Sequence, residues 1–97
     1  MITEYNDFCI ICGKPRTDMH HCFKGVKHRH LCTEDSLLLP LCHEHHEGNM
    51  SVHHNKEMNV MSQIIGQLAY EKRKCAEGYG EEAARESFRE RYGKSYL

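Results

Sequence analysis

Two short chelating pairs constrain this chain more than anything else in it. Cys9-x2-Cys12 and Cys42-x2-His45 stand 29 residues apart. Each two-residue spacer lets both side chains of a pair reach one ion from a single turn. Three thiolates and an imidazole match tetrahedral structural zinc. A site of this kind ties the start of the chain to its middle and contributes folding energy directly. The need is real, because a 97-residue chain builds one small domain, and cores of this size rarely supply more than about 3–5 kcal/mol unaided. Cys32 or His46 is an alternative for one of the four ligands. Cys22 reads as a core strand residue, and Cys75 reads as core on the apolar stripe of a helix.

Composition sharpens the picture. All 9 histidines lie between His20 and His54, and five of the 6 cysteines lie between Cys9 and Cys42. The chain therefore reads as a metal-rich N-terminal half followed by a helical tail. No apolar run approaches the roughly 18–20 residues that span a bilayer, and the start, Met1-Ile2-Thr3-Glu4-Tyr5, lacks the basic and apolar regions of a signal peptide. The expectation is a cytoplasmic protein, without a membrane partner, whose thiols are reduced and bind metal rather than pair. A net charge of −1 leaves no global attraction for nucleic acid, so any such binding needs a local patch.

The coarse structural reading is α+β. Cys9-Ile-Ile-Cys12-Gly13 reads as a metal-knuckle turn with Gly13 at positive φ. Residues 18–23 read as a strand, 24–36 as a long polar loop, and Leu37–Leu41 as a short buried strand interrupted by Pro40. A short helix opens at Cys42. Asn55 is an N-cap, and Met58, Met61, Ile64, Ile65, Leu68 and Cys75 recur at helical spacing over about residues 56–77. Ala84, Phe88 and Tyr92 mark a last helix stopped by Gly93. Tyr96 and Leu97 then dock on the core. The whole is one domain, 1–97, divided into a zinc-stapled finger over 9–55 and a helical extension over 56–97.

The histidine stretches carry a resemblance. Met19-His20-His21-Cys22-Phe23-Lys24-Gly25, then Glu34-Asp35-Ser36-Leu37-Leu38-Leu39-Pro40-Leu41-Cys42-His43-Glu44-His45-His46, then Ser51-Val52-His53-His54-Asn55 follow the order seen in the HNH endonuclease superfamily. That superfamily is built on a ββα-metal finger. More narrowly, the chain resembles small HNH-like proteins of prophages in low-GC Gram-positive bacteria, including the ending Tyr92-Gly-Lys-Ser-Tyr-Leu97. The resemblance implies that His21 is the general base and that His20 and His46 ligate a catalytic divalent ion. His53 is then a third ligand or a phosphate contact. Mg²⁺, Mn²⁺, Ni²⁺ and Zn²⁺ are the candidate ions, and imidazole-rich ligation leans towards the transition metals. The family's middle Asn would fall near Asp35–Leu37, where this chain has none. Asp35 or Ser36 is expected to take its place by hydrogen-bonding the loop that carries the base. His28, His30, His43 and His54 read as loop or surface residues.

The chemistry has its own logic. Phosphodiester hydrolysis needs an activated water and stabilisation of the departing 3′-oxygen. A neutral imidazole serves the first need. Adjacent strand residues face opposite ways, so His20 and His21 can serve different partners. The stretch Lys24-Gly25-Val26-Lys27-His28-Arg29-His30 carries no acid, and Lys24, Lys27 and Arg29 are the expected DNA contacts. The expected function is a metal-dependent DNA endonuclease or nickase leaving a 5′-phosphate, with a structural zinc, and with a homodimer or partner protein supplying specificity. Two rivals use the same scaffold without catalysis. One is a zinc-binding protein that modulates a partner, and the other is a structural zinc module of a packaging or recombination complex.

Overall fold

Two short strands carry the histidine pair and the chelating pair after it. The computed structural model describes residues 1–97, and in it β1 (Asp18–His21) runs antiparallel to β2 (Leu38–Leu41). The register sets Asp18 opposite Leu41, Met19 opposite Pro40, His20 opposite Leu39 and His21 opposite Leu38. Pro40 is tolerated because the sheet has only these two strands, so an outer edge needs no donor. Its carbonyl still accepts from the Ile10 amide at 3.0 Å, which brings the N-terminal knuckle alongside β2. His20 and Leu39 form one cross-strand pair, each buried. The two strands agree with the sequence expectation, as does α2 (His43–Glu47) directly after Cys42.

The long loop expected over 24–36 is instead a helix, α1 (Val26–Asp35). It has no apolar stripe for periodicity to reveal: only Cys32 is fully buried, with Leu31 and His28 partly so. Polar contacts to the tail hold it. The Asp35 carboxylate accepts from Arg91 Nε at 2.6 Å, Arg91 Nη2 at 2.9 Å and the Tyr92 hydroxyl at 2.7 Å. Arg73 donates to the Asp35 and Ser36 carbonyls. Ser36 ends the helix in the left-handed region at φ 55. Its amide and that of Leu37 cap the Thr33 and Cys32 carbonyls, so the chain turns directly into β2.

The tail follows the expected pattern. Asn55 caps α3 (Lys56–Ala76) by accepting from the Met58 amide at 3.0 Å, and α4 (Glu81–Tyr92) ends at Gly93 with φ 92. Phe88 and Tyr92 of α4 and Tyr70 of α3 pack on Phe23, Cys22, Cys32, Leu37 and Leu39. Cys22 is thus core, as expected. Cys75, expected on the apolar stripe, is exposed, as is Leu68 seven residues earlier on the same face; both line the cleft beside α4 rather than the core. At the C-terminus Tyr96 stacks on Phe23 with ring centroids 5.1 Å apart, and its amide donates to the buried Gln67 Oε1. Leu97, expected to dock too, is exposed.

The closest approach in the core is between α3 and the turn after β1, at Gly66. A Cβ there would lie 2.7 Å from Cys22 Cβ and 3.0 Å from Phe23 Cζ, and neither atom can swing away. Gly66→Ala should therefore lower the unfolding free energy by about 1–3 kcal/mol, overpacking outweighing the gain in helix propensity. Chemical denaturation of the metal-loaded protein measures this.

Candidate metal centres

The first centre forms where the knuckle meets the start of α2. Gly13, at φ 78, lets the turn close, with the Gly13 amide donating to the Cys9 carbonyl at 2.9 Å and the Cys9 amide to the Lys14 carbonyl at 2.7 Å. Cys42 stands at the N-cap of α2, and His45 follows one turn later. The Cys9, Cys12, Cys42 and His45 ligand atoms all lie within 4.8 Å of one another, so the cluster can hold a structural metal such as zinc. The separations are Cys12 Sγ to Cys42 Sγ 3.8 Å, Cys9 Sγ to His45 Nδ1 3.7 Å and Cys42 Sγ to His45 Nδ1 3.2 Å. Zinc bond lengths of about 2.3 Å to sulfur and 2.0–2.1 Å to nitrogen imply tetrahedral edges of about 3.8 Å and 3.6 Å. The donor set therefore fits zinc in type and in spacing. Burial opposes ionisation of Cys9, yet the backbone N–H groups of Cys42, Cys12 and Ile11 outweigh it and bring the thiol down to about 6. A thiolate is the form that binds metal. Neither alternative ligand belongs here: Cys32 is in the aromatic core and His46 is in the second centre.

The second centre joins three elements. His20 from β1, His46 from α2 and His53 from the loop before α3 bring ligand nitrogens within 4.8 Å of one another. His46 Nε2 and His53 Nε2 are 2.9 Å apart. Asp18 lies at the start of β1, two residues before His20 and so on the same side of the strand. Its Oδ2 accepts from His46 Nδ1 at 3.0 Å and from His43 Nδ1 at 3.3 Å. With its Nδ1–H given to Asp18, His46 can turn Nε2 to the cluster, the arrangement common around imidazole-bound metals. The hydrogen bond from His46, opposed by slight burial, keeps the Asp18 carboxyl below its usual range. His20 is buried, and burial together with the neighbouring His53 and His46 brings its pKa down to about 3. A neutral imidazole at this position is the state a metal needs.

His21 is half-buried beside these three. Burial, then Arg29 and His46, lower its pKa. A cavity of about 420 Å³ is lined by His20, His21, His46 and His53 together with Lys24 and Arg29. Larger clefts of about 990 and 550 Å³ flank α3 and α4. They are lined by charges of both signs and carry no imidazole. Of the expected DNA contacts, Lys24 and Arg29 face the histidine cavity, while Lys27 is exposed on α1 and does not line it.

One expected site residue is elsewhere. Asp35 does not brace the loop that carries the base, because its carboxylate is fully engaged by Arg91 and Tyr92. His21 Nε2 instead meets the Thr33 hydroxyl at 3.3 Å. Sequence reasoning missed Asp18, Thr33 and Ser62, whose Oγ lies 3.2 Å from His20 Nε2. Asp18 had a signal, an acid at the i−2 position of a His-His strand. Thr33 had none while α1 read as a loop. Among the remaining histidines, His30, His43 and His54 are exposed as expected, while His28 is half-buried against Phe23 and Tyr92.

No family model, curated protein or solved structure matches the chain. No helix is long and apolar enough to cross a membrane.

Two predictions separate ligands from bystanders. Cys42→Ser should release the first metal under mild chelation, whereas Cys22→Ser should retain it, as read by metal content after dialysis. Asp18→Ala should weaken Mn²⁺ or Ni²⁺ binding at the second centre by about 10–100-fold without lowering tightly held zinc, as read by calorimetry.

Proposed function

We propose that the protein is a metal-dependent DNA endonuclease or nickase of the HNH kind, carried by one zinc-stapled ββα-metal finger. The observation that supports this best is the convergence of His20, His46 and His53 with His21 beside them, in a cavity that also presents Lys24 and Arg29. In this reading Cys9, Cys12, Cys42 and His45 hold a structural zinc and do no chemistry. His20, His46 and His53 would hold the second divalent ion, which when bound supplies positive charge to the 3′-oxygen as it departs.

The chain's own residues do the rest. Lys24 and Arg29 draw a phosphodiester into the cavity and orient it. His21 takes a proton from a water molecule as the water oxygen bonds to phosphorus. The bond from phosphorus to the 3′-oxygen breaks, and that oxygen leaves with the electron pair. The products are a 5′-phosphate and a 3′-hydroxyl once the leaving oxygen is protonated by solvent. Asp18 positions His46 and takes no part in proton transfer. Within this reading Asp35 has no catalytic role; it fastens α1 to α4.

Supercoiled plasmid incubated with Mg²⁺, Mn²⁺ or Ni²⁺ tests the proposal. The wild-type protein is expected to nick it, and His21→Ala should reduce the rate by about 10²–10⁴-fold with zinc content and melting behaviour unchanged. No nicking with any of the three ions would overturn the enzyme reading and leave a non-catalytic zinc scaffold.

A further inference from the structure

Resting on the reading of His21 as the base, we infer that Thr33 is its positioning residue: the Thr33 hydroxyl accepts the Nε2 proton of His21 and so presents Nδ1, unprotonated, to the metal cavity. Counting hydrogens leads there. A threonine hydroxyl has one hydrogen and two lone pairs. The Thr33 hydrogen goes to the Arg29 carbonyl one turn back on α1, at 3.0 Å, a bond that helical threonines commonly make. Only lone pairs are left for His21 Nε2, 3.3 Å away, so the nitrogen must be the donor. A neutral imidazole carries a single N–H. Nδ1 is then the basic nitrogen.

His21 stands where a base is needed. His21 and Arg29 line both the histidine cavity and a smaller one of about 230 Å³ that Thr33 also lines. The imidazole therefore borders both cavities, with its Nε2 at the Thr33 hydroxyl of α1. The same device occurs one residue earlier. The Ser62 hydroxyl on α3 donates to the Asn59 carbonyl at 2.9 Å and receives His20 Nε2 at 3.2 Å. Two adjacent histidines are each set by a helical hydroxyl whose own hydrogen is already spent.

The test uses the zinc-loaded full chain labelled with ¹⁵N-histidine, as wild type, Thr33→Val and Thr33→Ser. Long-range ¹H–¹⁵N correlation at about pH 8, above the ordinary imidazole range, reads which nitrogen of His21 carries the proton. Wild type and Thr33→Ser should show the Nε2–H form, and Thr33→Val should shift towards the Nδ1–H form. In plasmid nicking, Thr33→Val should lose about 10–100-fold in kcat, the usual effect of removing an imidazole's orienting partner, with KM unchanged and with Thr33→Ser restoring the rate. A wild-type His21 protonated on Nδ1, or a Thr33→Val spectrum like that of wild type, overturns the inference. So does a Thr33→Val protein that nicks as fast as wild type. If the tautomer responds as expected but the wild-type protein nicks nothing, the positioning role stands and the nuclease reading alone fails.

Discussion

The structure depends on holding together two strands of four residues each, which could not persist in water as an isolated pair. They are secured at both ends. At one end the Cys9, Cys12, Cys42 and His45 cluster joins the knuckle to the residues directly after β2, and Leu41 and Val52 pack against its buried cysteines. At the other end Phe23, two residues beyond β1, is enclosed by Phe88, Tyr92 and Tyr96. A metal held by this cluster would also orient α2. Cys42 and His45 share the first turn of that helix with His46, so an ion on the first two fixes the helix that carries the third. The second centre is built on the back of the first.

Within that frame, small polar groups decide what the histidines can do. Asp18 and the hydroxyls of Ser62 and Thr33 each take an N–H from a different imidazole, so the remaining ring nitrogen is left with its lone pair. Burial and mutual repulsion keep His20 neutral far into the acid range. Burial likewise lowers the pKa of His21 and His53, which favours the neutral imidazole that a metal ligand or a base requires. Lys24 and Arg29 then supply positive charge at the rim of the cavity, in a chain whose net charge is −1.

The tail is part of this arrangement. Arg91 forks onto Asp35 and reaches Glu34, and Tyr92 shares the same carboxylate while its ring packs in the core. These contacts hold the C-terminal end of α1, the helix that supplies Thr33 and Arg29. Gln67, buried in α3, holds the final residues through the Tyr96 amide and Ser95, and Tyr96 in turn backs Phe23 next to Lys24. The helical extension thus buttresses the wall of the cavity from behind.

Much of this was legible in the residues alone. Chelating spacing identified the four members of the first cluster, because two-residue spacers act within a single turn. Period and capping located α3 and α4, because each buries one face of a helix, and a short apolar run located β2. The convergence of His20, His46 and His53 was readable only through a family resemblance, since nothing local relates a strand, a short helix and a loop. The tertiary structure alone decided that 24–36 is mostly helix, that Asp35 turns to the tail and that Thr33 meets His21. The physical reason is common to all three. α1 is stabilised by partners 38 to 57 residues away, at Arg73, Arg91 and Tyr92, and a helix held by distant polar groups leaves no periodic signature in its own sequence.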